Sequence, residues 1–411
     1  MPSSAAAHAQ VFTPGRLGRL ELRNRVIKAA TYEGMCPGGV PSDALIRHHR
    51  DLAAGGVGMT TVAYCAVSPN GRTFEEQMVM REQIVPKLTA LTTAVHAAGA
   101  AVSLQLGHCG YFSKNTELPG RRSLGPSFRF NEYGVMSGVP FARAMDEDDI
   151  ATVIEEFGAA AAGAVRAGFD AVELHLGHGY LLSQFISPGI NRRRDRWGGG
   201  LDNRMRLPLA VVERVRAVVG PEFPIVAKTN LRDGFPGGLE LTESIGVAQR
   251  LEAAGVNAIE LSGGFTSKTP FFLFRGPRPL KEMIEVEKSW PQKLALRMFG
   301  SYIIKEYPFH ELFFLEEARQ VRKAVRVPLV LLGGILSLAN LATAMQEGFD
   351  FVAMGRALIA DPDLIARMQR GETARSRCTS CNKCVAEMDR HGVRCVLDDG
   401  TEADAARGAH E

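Results

Sequence analysis

The segment from His175 to Tyr180 carries the side chains best suited to chemistry. Two histidines and a tyrosine, at positions 175, 178 and 180, follow an apolar run, 170–174, that has the character of a buried strand. Two N–H donors can stabilise a developing oxyanion, and a phenol can give a proton to a neighbouring carbon. A single histidine at a strand end is often only a core residue, but three such groups in one loop favour catalysis. The loop therefore predicts polarisation of a carbonyl and reduction across a conjugated double bond.

The residues that follow make this prediction more specific. Residues 187–204 read SPGINRRRDRWGGGLDNR. With the HLGHGY loop at 175–180, this segment resembles the Old Yellow Enzyme family of FMN-dependent ene-reductases. Members of that family carry a His-x-x-(His or Asn)-Gly-Tyr loop, then Ser-Pro, Asn-x-Arg-x-Asp and an aromatic-Gly-Gly-Ser-x-(Glu or Asp)-Asn-Arg run. Here Trp197 replaces the usual Tyr and Gly200 the usual Ser, and neither change involves the proposed catalytic side chains.

Length and composition place the chain among globular proteins. It has 411 residues, 45% of them hydrophobic, and no apolar run approaches the eighteen residues of a membrane span, so we expect no membrane partner. Residues 1–10 lack the features of a secretory signal, which predicts a frayed tail and a cytoplasmic protein. Forty-eight basic and 45 acidic residues nearly cancel, so the charge gives no indication of nucleic-acid binding.

Short apolar runs alternate with amphipathic stretches of helical period, which predicts repeated βα units and a parallel sheet. We predict strands at Arg25–Ala29, Val57–Ala63, Ala101–Leu106, Ala171–Leu174, Ile225–Lys228, Ala258–Leu261, Leu329–Leu332 and Phe351–Met354. Helices are predicted at Ser42–Ala54, Ile84–Ala98, Asp148–Ala167, Asp202–Val219, Leu241–Ala254, Leu312–Ala324, Leu338–Glu347 and Asp361–Met368. Eight units indicate an α/β fold, a (β/α)8 TIM barrel. A doubly wound open sheet is disfavoured because no Gly-x-Gly-x-x-Gly follows an early strand.

The barrel is predicted to occupy residues 1–372, followed by a cysteine-containing extension at 373–411. Two insertions, 108–145 and 266–311, are long for barrel loops. Both leave from the carboxyl ends of predicted strands, where the active sites of such barrels form. We therefore expect them to shape the substrate mouth.

Glycine-rich turns after the last two strands predict a phosphate site. Gly333 and Gly334 end strand seven, and Gly355 and Arg356 end strand eight. Backbone N–H groups in such turns converge on a phosphate, and the guanidinium of Arg356 has a geometry that suits one. This pair of turns favours the phosphate of FMN over simple tight packing.

The flavin ring needs hydrogen bonds at its pyrimidine edge and a cation near N1. Gln105 and Lys228, at the ends of strands three and five, are the candidates, and the resemblance implies that Gln105 binds the isoalloxazine. The resemblance also places the backbone of Ala30 and Thr31 along the flavin. Lys228 has a second interpretation, as the Schiff-base nucleophile of an aldolase. That alternative would leave the histidine–tyrosine loop unexplained.

Four cysteines near the carboxyl end raise a separate question. Cys378, Cys381, Cys384 and Cys395 lie within eighteen residues of one another. Multidomain relatives of the resembled family bind a [4Fe–4S] cluster just after the barrel, with three residues between the second and third ligands, whereas here two intervene. A cluster, a zinc ion and metal-free thiols are all compatible with this spacing, and metal-free thiols are the favoured interpretation.

These observations together predict an NADH- or NADPH-dependent flavin oxidoreductase. In the predicted ping-pong cycle, FMN takes hydride from the nucleotide and passes it to an electron-poor alkene, a small-molecule substrate. His175 and His178 hold its carbonyl oxygen while Tyr180 protonates the α-carbon. The alternative is an iron–sulfur flavoenzyme of the 2,4-dienoyl-CoA reductase or amine dehydrogenase type. The resemblance also implies a homo-oligomer, although no interface can be assigned from the sequence.

Overall fold

The computed structural model describes residues 4–390 and 392–397. Among these residues the strands are, in chain order, β1 Gly15–Leu17, β2 Leu20–Leu22, β3 Val26–Lys28, β4 Met59–Ala66, β5 Ala101–Gly107, β6 Arg122–Gly125, β7 Arg129–Phe130, β8 Phe141–Ala144, β9 Ala171–Leu176, β10 Ile225–Asn230, β11 Ala258–Ser262, β12 Leu329–Leu332 and β13 Phe351–Met354. Eight of them close into a parallel barrel in the order β3-β4-β5-β9-β10-β11-β12-β13. Every residue of β9, β10 and β11 is buried, as expected for strands covered on both faces. The predicted TIM barrel is confirmed.

Helices surround the barrel. In chain order they are α1 Ser4–Val11, α2 Asp43–Ala54, α3 Val85–Ala97, α4 Glu147–Arg166, α5 Leu181–Ile186, α6 Leu201–Val219, α7 Leu241–Ala253, α8 Leu280–Val286, α9 Trp290–Ile303, α10 Leu315–Ala324, α11 Leu338–Gln346, α12 Arg356–Ala360, α13 Leu364–Gln369 and α14 Cys384–Glu387. The eight predicted helices correspond to α2, α3, α4, α6, α7, α10, α11 and α13, with ends displaced by at most three residues. Local sequence explains such ends: Asp146 and Asp149 form a capping box that starts α4. Among the described residues, none of the helices combines the length and apolar character needed to cross a membrane.

The amino-terminal segment was predicted to be a frayed tail, and that prediction is wrong from residue 4 onward. Residues 4–11 form α1, which packs against α11. Its sequence is rich in alanine, the best helix former, and Ala7 and Val11 are buried one turn apart on the same face. The burial of this face fixes the helix. Residues 1–3 lie outside the described residues.

The two long insertions contain secondary structure of their own. Residues 108–145 hold a small sheet in which β8 pairs with both β6 and β7, and residues 266–311 hold α8 and α9. The carboxyl-terminal extension packs back onto the barrel: the Val393 N–H donates to the Glu33 carbonyl at 2.7 Å, and Ser337 pairs with Arg375. Residues 398–411 of the predicted extension lie outside the described residues.

Candidate functional site

The end of β9 and the loop after it bring the three predicted catalytic side chains together. The rings of His175 and Tyr180 are 4.2 Å apart between centroids, and those of His175 and His178 are 5.0 Å apart. Tyr180 is the N-cap residue of α5, which begins at Leu181. The three side chains that are close in sequence are therefore also in contact in the structure.

Two neighbouring strands hold this loop in shape. His178 has a φ of 56°, which is uncommon for a residue other than glycine and needs support from its surroundings. Asn230, at the end of β10, accepts a hydrogen bond from the His178 backbone N–H at 3.0 Å. Ser262, at the end of β11, lies with its hydroxyl 2.7 Å from His178 Nε2. The sequence analysis missed both supports, although polar residues at the carboxyl ends of barrel strands are a signal that could have found them.

Both histidines are neutral at physiological pH. Burial lowers the pKa of His175 well below its ordinary range and that of His178 to about 3, and the nearby Lys228 cation acts in the same direction. A neutral imidazole carries one N–H donor and one acceptor nitrogen. Nδ1 of His175 is buried without a hydrogen-bond partner among the described residues. Because an unpaired buried polar atom is unfavourable, this nitrogen is suited to a ligand atom.

Tyr180 is placed to keep its proton until a reaction needs it. Its ring meets Tyr64 and Phe112 edge-on, with centroids 5.0 and 5.1 Å away. Burial raises the pKa of the Tyr180 phenol above its ordinary value. Its hydroxyl therefore stays protonated across the usual pH range and can serve as an acid.

The predicted flavin-edge residues lie in a buried cluster of charges. Gln105 Nε2 donates to Glu173 at 2.6 Å, and Lys228 Nζ lies 2.8 Å from Glu260 and 3.8 Å from Glu173. Burial alone would lower the pKa of Lys228, but the two carboxylates raise it above its ordinary value. Burial raises the pKa of Glu173, and the cation of Lys228 opposes that rise. Sequence analysis found Gln105 and Lys228 but missed both glutamates, although a glutamate inside an apolar strand is itself a signal.

The loop after β3 is anchored by a second buried ion pair. Lys28 Nζ lies 2.5 Å from Glu33, and His49 Nε2 lies 3.5 Å from the same carboxylate. Burial opposes ionisation of Glu33, but Lys28 and His49 together lower its pKa to about 2. This pair flanks the predicted flavin residues Ala30 and Thr31. It therefore fixes the path of the loop that carries them.

The turn after β12 has a backbone conformation that requires glycine. Gly333 and Gly334 have φ values of 110° and 69°, in the region that favours glycine. A Cβ at Gly333 would lie 2.7 Å from Phe314, and one at Gly334 would lie 2.7 Å from the His310 carbonyl. Close packing under the 310–314 segment therefore accounts for both glycines. Their phosphate role stays a prediction.

Arg356 faces the carboxyl-terminal extension. Its terminal nitrogens donate to the carbonyls of Phe274 and Arg275 and to the side chain of Asn382. Gly355, one residue earlier, lies beside Thr31: a Cβ at this position would lie 3.5 Å from the threonine methyl. The sequence analysis missed Asn382. A phosphate role for Arg356 stays a prediction. It requires the guanidinium to give up these hydrogen bonds and form new ones to the phosphate.

The four carboxyl-terminal cysteines line one cavity beside Arg356. This cavity has a volume of about 20 Å³, room for about one water molecule. Within residues 4–390 and 392–397, no group of three or more histidine, cysteine or acidic side chains has an arrangement that could hold a metal ion. Burial raises the pKa of Cys384 to about 12, so its sulfur stays a protonated thiol. In the described part of the extension, the four cysteines therefore lie around one small cavity beside Arg356.

The residues at the mouth fit a polar, aromatic cofactor such as FMN. Thr31 Oγ1, like His175 Nδ1, is buried without a partner among the described residues, and the two come from the β3 and β9 ends. Ala30 and Tyr180 pack against the same small apolar cluster around Tyr64. A flat ring system with carbonyl and N–H groups at its edge would satisfy these atoms.

Comparison with known proteins identifies the group to which this fold and site belong. Residues 10–265 match the NADH:flavin oxidoreductase / NADH oxidase family, and residues 311–408 match the dihydrouridine synthase family. The chain is 44% identical over 401 residues to the 4,4'-dithiodibutanoate disulfide reductase of Rhodococcus erythropolis, covering 96% of this chain and 97% of that enzyme. It is 30% identical over 383 residues to the NADH oxidase of Thermoanaerobacter brockii, covering 90% of this chain but only 52% of that protein. It therefore spans about half the length of the latter.

A solved structure supports the same assignment. Morphinone reductase is similar with a TM-score of 0.68 at 25% identity, over 90% of this chain and 92% of that one. The chain belongs to the NADH:flavin oxidoreductase / NADH oxidase family, which includes the Old Yellow Enzyme homologues, and it is an NAD(P)H-dependent oxidoreductase that uses FMN.

Proposed function

We propose that this enzyme reduces the carbon–carbon double bond of α,β-unsaturated carbonyl compounds. The observation that carries the proposal is the contact of His175, His178 and Tyr180 at the end of β9, with one histidine nitrogen left unpaired. These are the groups that such a reduction needs. They lie at the barrel end where active sites form.

Each side chain has a defined task in this reaction. The neutral imidazoles of His175 and His178 donate hydrogen bonds to the carbonyl oxygen, which draws electron density from the β-carbon. FMN, when bound, supplies the hydride that it has taken from NADH or NADPH. Tyr180 gives its proton to the α-carbon, and the hydrogen bond between Ser262 and His178 keeps that imidazole in one orientation.

Lys228 supports the flavin assignment over the aldolase alternative. A Schiff-base lysine must lose its proton before it can attack a carbonyl. The pKa of Lys228 is raised instead, because its amine lies between two glutamates. The residue is therefore suited to hold a positive charge near the predicted pyrimidine edge, where reduced flavin carries negative charge.

Anaerobic spectroscopy tests the proposal. The FMN-loaded protein is reduced with NADPH or NADH and then mixed with cyclohexenone while the flavin absorbance is followed. We expect the absorbance to bleach with the nucleotide and to recover with the enone, with cyclohexanone as the product. Recovery no faster than in an enone-free control would overturn the proposal.

A second candidate function is disulfide reduction, favoured by the identity with the Rhodococcus enzyme along nearly the whole of both chains. A hydride and a proton added to a disulfide break the sulfur–sulfur bond and yield two thiols. Tyr180 would then protonate the leaving thiolate. Mixing the reduced enzyme with 4,4'-dithiodibutanoate and titrating the released thiols separates the candidates: faster recovery with the disulfide than with the enone would favour this one.

A further inference from the structure

Helix α9 turns an apolar stripe toward solvent. Trp290, Leu294, Met298 and Tyr302 follow one another at four-residue spacing, so they lie along one side of the helix. Trp290 is 74% exposed and Tyr302 is 86% exposed, and Phe299 is also exposed. A surface helix of a globular protein normally turns such a stripe toward the core. We refer to the four spaced residues, Trp290, Leu294, Met298 and Tyr302, as the α9 face.

The insertion at residues 108–145 also exposes large aromatic side chains. Phe128, Phe130 and Phe141, in and beside the β6–β8 sheet, are also exposed. Gln292 in α9 donates to the Ser137 hydroxyl of that insertion at 3.4 Å, which places α9 beside it. Exposed apolar stripes of this kind mark sites of interaction with a protein or a membrane. The α9 face therefore indicates a binding partner.

The charges around the α9 face indicate what that partner is. Helix α9 contains Lys293 and Arg297 and no acidic residue. Arg122 lies opposite Phe141 in the β6–β8 sheet. In the described part of the chain, none of these three cations has a carboxylate within salt-bridge distance. A second copy of the chain would bring more cations to the same surface, which is unfavourable, whereas an anionic surface would neutralise them.

We propose that the α9 face docks on an anionic lipid bilayer, with α9 lying along the interface between water and lipid. Interfacial helices combine basic residues with Trp, Phe and Leu in this way, and tryptophan and tyrosine favour the headgroup level. The sequence-based expectation of no membrane partner rested on the absence of a run long enough to span a membrane, which does not bear on docking at the membrane surface. Helix α9 belongs to the insertion that leaves the carboxyl end of β11, the barrel end that carries His175, so docking holds that end near the lipid.

Vesicle flotation with the FMN-loaded enzyme tests the proposal. We expect the protein to float with vesicles of phosphatidylcholine and phosphatidylglycerol, at least tenfold more than with phosphatidylcholine alone, and less at high salt. Trp290 reports the contact directly, because the only other tryptophan, Trp197, is 8% exposed. Its fluorescence should shift to shorter wavelength when anionic vesicles are added.

Matched variants assign the binding to this face. Leu294→Glu/Met298→Glu should reduce flotation at least tenfold, whereas Val165→Glu, at an exposed apolar position of α4, should float like the parent. Lys293→Glu/Arg297→Glu should lose binding to anionic vesicles without altering the apolar stripe. Equal FMN content and circular dichroism verify that each variant is folded.

Three results would overturn the proposal. The parent enzyme could fail to float with anionic vesicles, or the Leu294→Glu/Met298→Glu variant could float as well as the parent. Light scattering could also show a dimer that this variant splits and in which Trp290 is shielded from vesicles. The last result would assign the α9 face to a second copy of the chain.

Discussion

Two strand ends of the barrel, after β9 and after β13, differ in whether their polar groups have partners. After β9, the buried Nδ1 of His175 has no hydrogen-bond partner among the described residues. After β13, the terminal nitrogens of Arg356 bond to loop carbonyls and to Asn382. Both ends carry residues that suggested function from sequence. The comparison teaches that such a residue marks chemistry most clearly where the fold leaves its polar atoms unpaired.

The energetic consequence differs between the two regions. An unpaired buried polar atom costs about 1–3 kcal/mol, so the β9 loop accepts a loss of stability that a ligand can recover. The bonds around Arg356 instead hold the carboxyl-terminal extension to the loop at Arg275. We therefore expect changes after β9 to affect rate, and changes near Arg356 to affect stability.

The largest effect is expected from Tyr180→Phe. This change removes the proposed proton donor and keeps the ring, so the rate of enone reduction should fall by about 10²–10⁴, while the reduction of FMN by NADPH is retained. Rapid mixing of the reduced enzyme with cyclohexenone measures the rate. Tyr64→Phe is the matched control, since its ring packs against Tyr180 but its hydroxyl bonds to the Gly71 carbonyl. An equal loss of rate in both variants would contradict the assignment.

The free energy of unfolding should depend on pH, whereas the rate of enone reduction should not. Burial lowers the pKa of His48 and His178 to about 3 and that of His108 to about 4. In the unfolded chain each histidine has an ordinary pKa of about 6.5, so the unfolded state binds more protons than the folded state below that pH. Each of these histidines therefore lowers the free energy of unfolding by up to about 1.4 kcal/mol per pH unit as the pH falls. The contribution of these neutral histidines to stability is complete above about pH 6.5 and is lost as the pH falls toward 4.

Urea unfolding between pH 7 and pH 5 measures this loss, and single-turnover enone reduction measures the rate. We expect the rate of enone reduction to show no histidine titration between pH 5.5 and 8, because the imidazoles of His175 and His178 stay neutral. A rate that changes with an apparent pKa near 6.5 would instead indicate that His175 or His178 acts as a cation.

A smaller effect is expected from Asn382→Ala. The variant loses the amide that bonds to the carbonyls of Arg275 and Pro277 and to Arg356, which should lower the free energy of unfolding by about 1–3 kcal/mol. The rate per bound FMN should remain close to that of the parent. Thr379→Ala, at an exposed neighbour, should change stability by less than about 0.5 kcal/mol. If Asn382→Ala abolished enone turnover while FMN stayed bound, the extension would belong to the active site.

The smallest effect is expected from Cys384→Ser. As a half-buried, protonated thiol, Cys384 has no part in the proposed reduction, so turnover should stay within about twofold and stability within about 1 kcal/mol. Iron and acid-labile sulfide should be absent from the purified parent protein. Stoichiometric iron that disappears in the variant would instead support the iron–sulfur alternative.

Much of the fold could be predicted because each barrel strand is marked by its own residues. The apolar runs Leu329–Leu332 and Phe351–Met354 are bounded by polar residues or glycine, and both strands match the prediction. β4 extends to Ala66, three residues beyond its predicted end, because its last residues pair with β5 across a shift in register. Pairing of that kind depends on the neighbouring strand and leaves no local signal.

The contacts among the three candidate catalytic residues could be predicted from the motif, whereas the residues that support them could not. His175, His178 and Tyr180 lie close in sequence, so one loop was enough to find them. Ser262 and Asn230 contact the loop only because β10 and β11 lie next to β9 in the barrel. The glutamates paired with Lys228 were missed for the same reason: the register between strands, which the sequence does not state, decides which buried charges meet.

The histidine pair provides the most direct test of the central claim. The variant His175→Ala/His178→Ala is loaded with FMN, reduced anaerobically with NADPH and mixed with cyclohexenone in a stopped-flow instrument. We predict that reoxidation by the enone slows by at least about 10²–10³, the loss expected for one oxyanion donor, and that phenol binding weakens. Reoxidation and phenol binding at parent levels would show that these histidines do not hold the carbonyl oxygen.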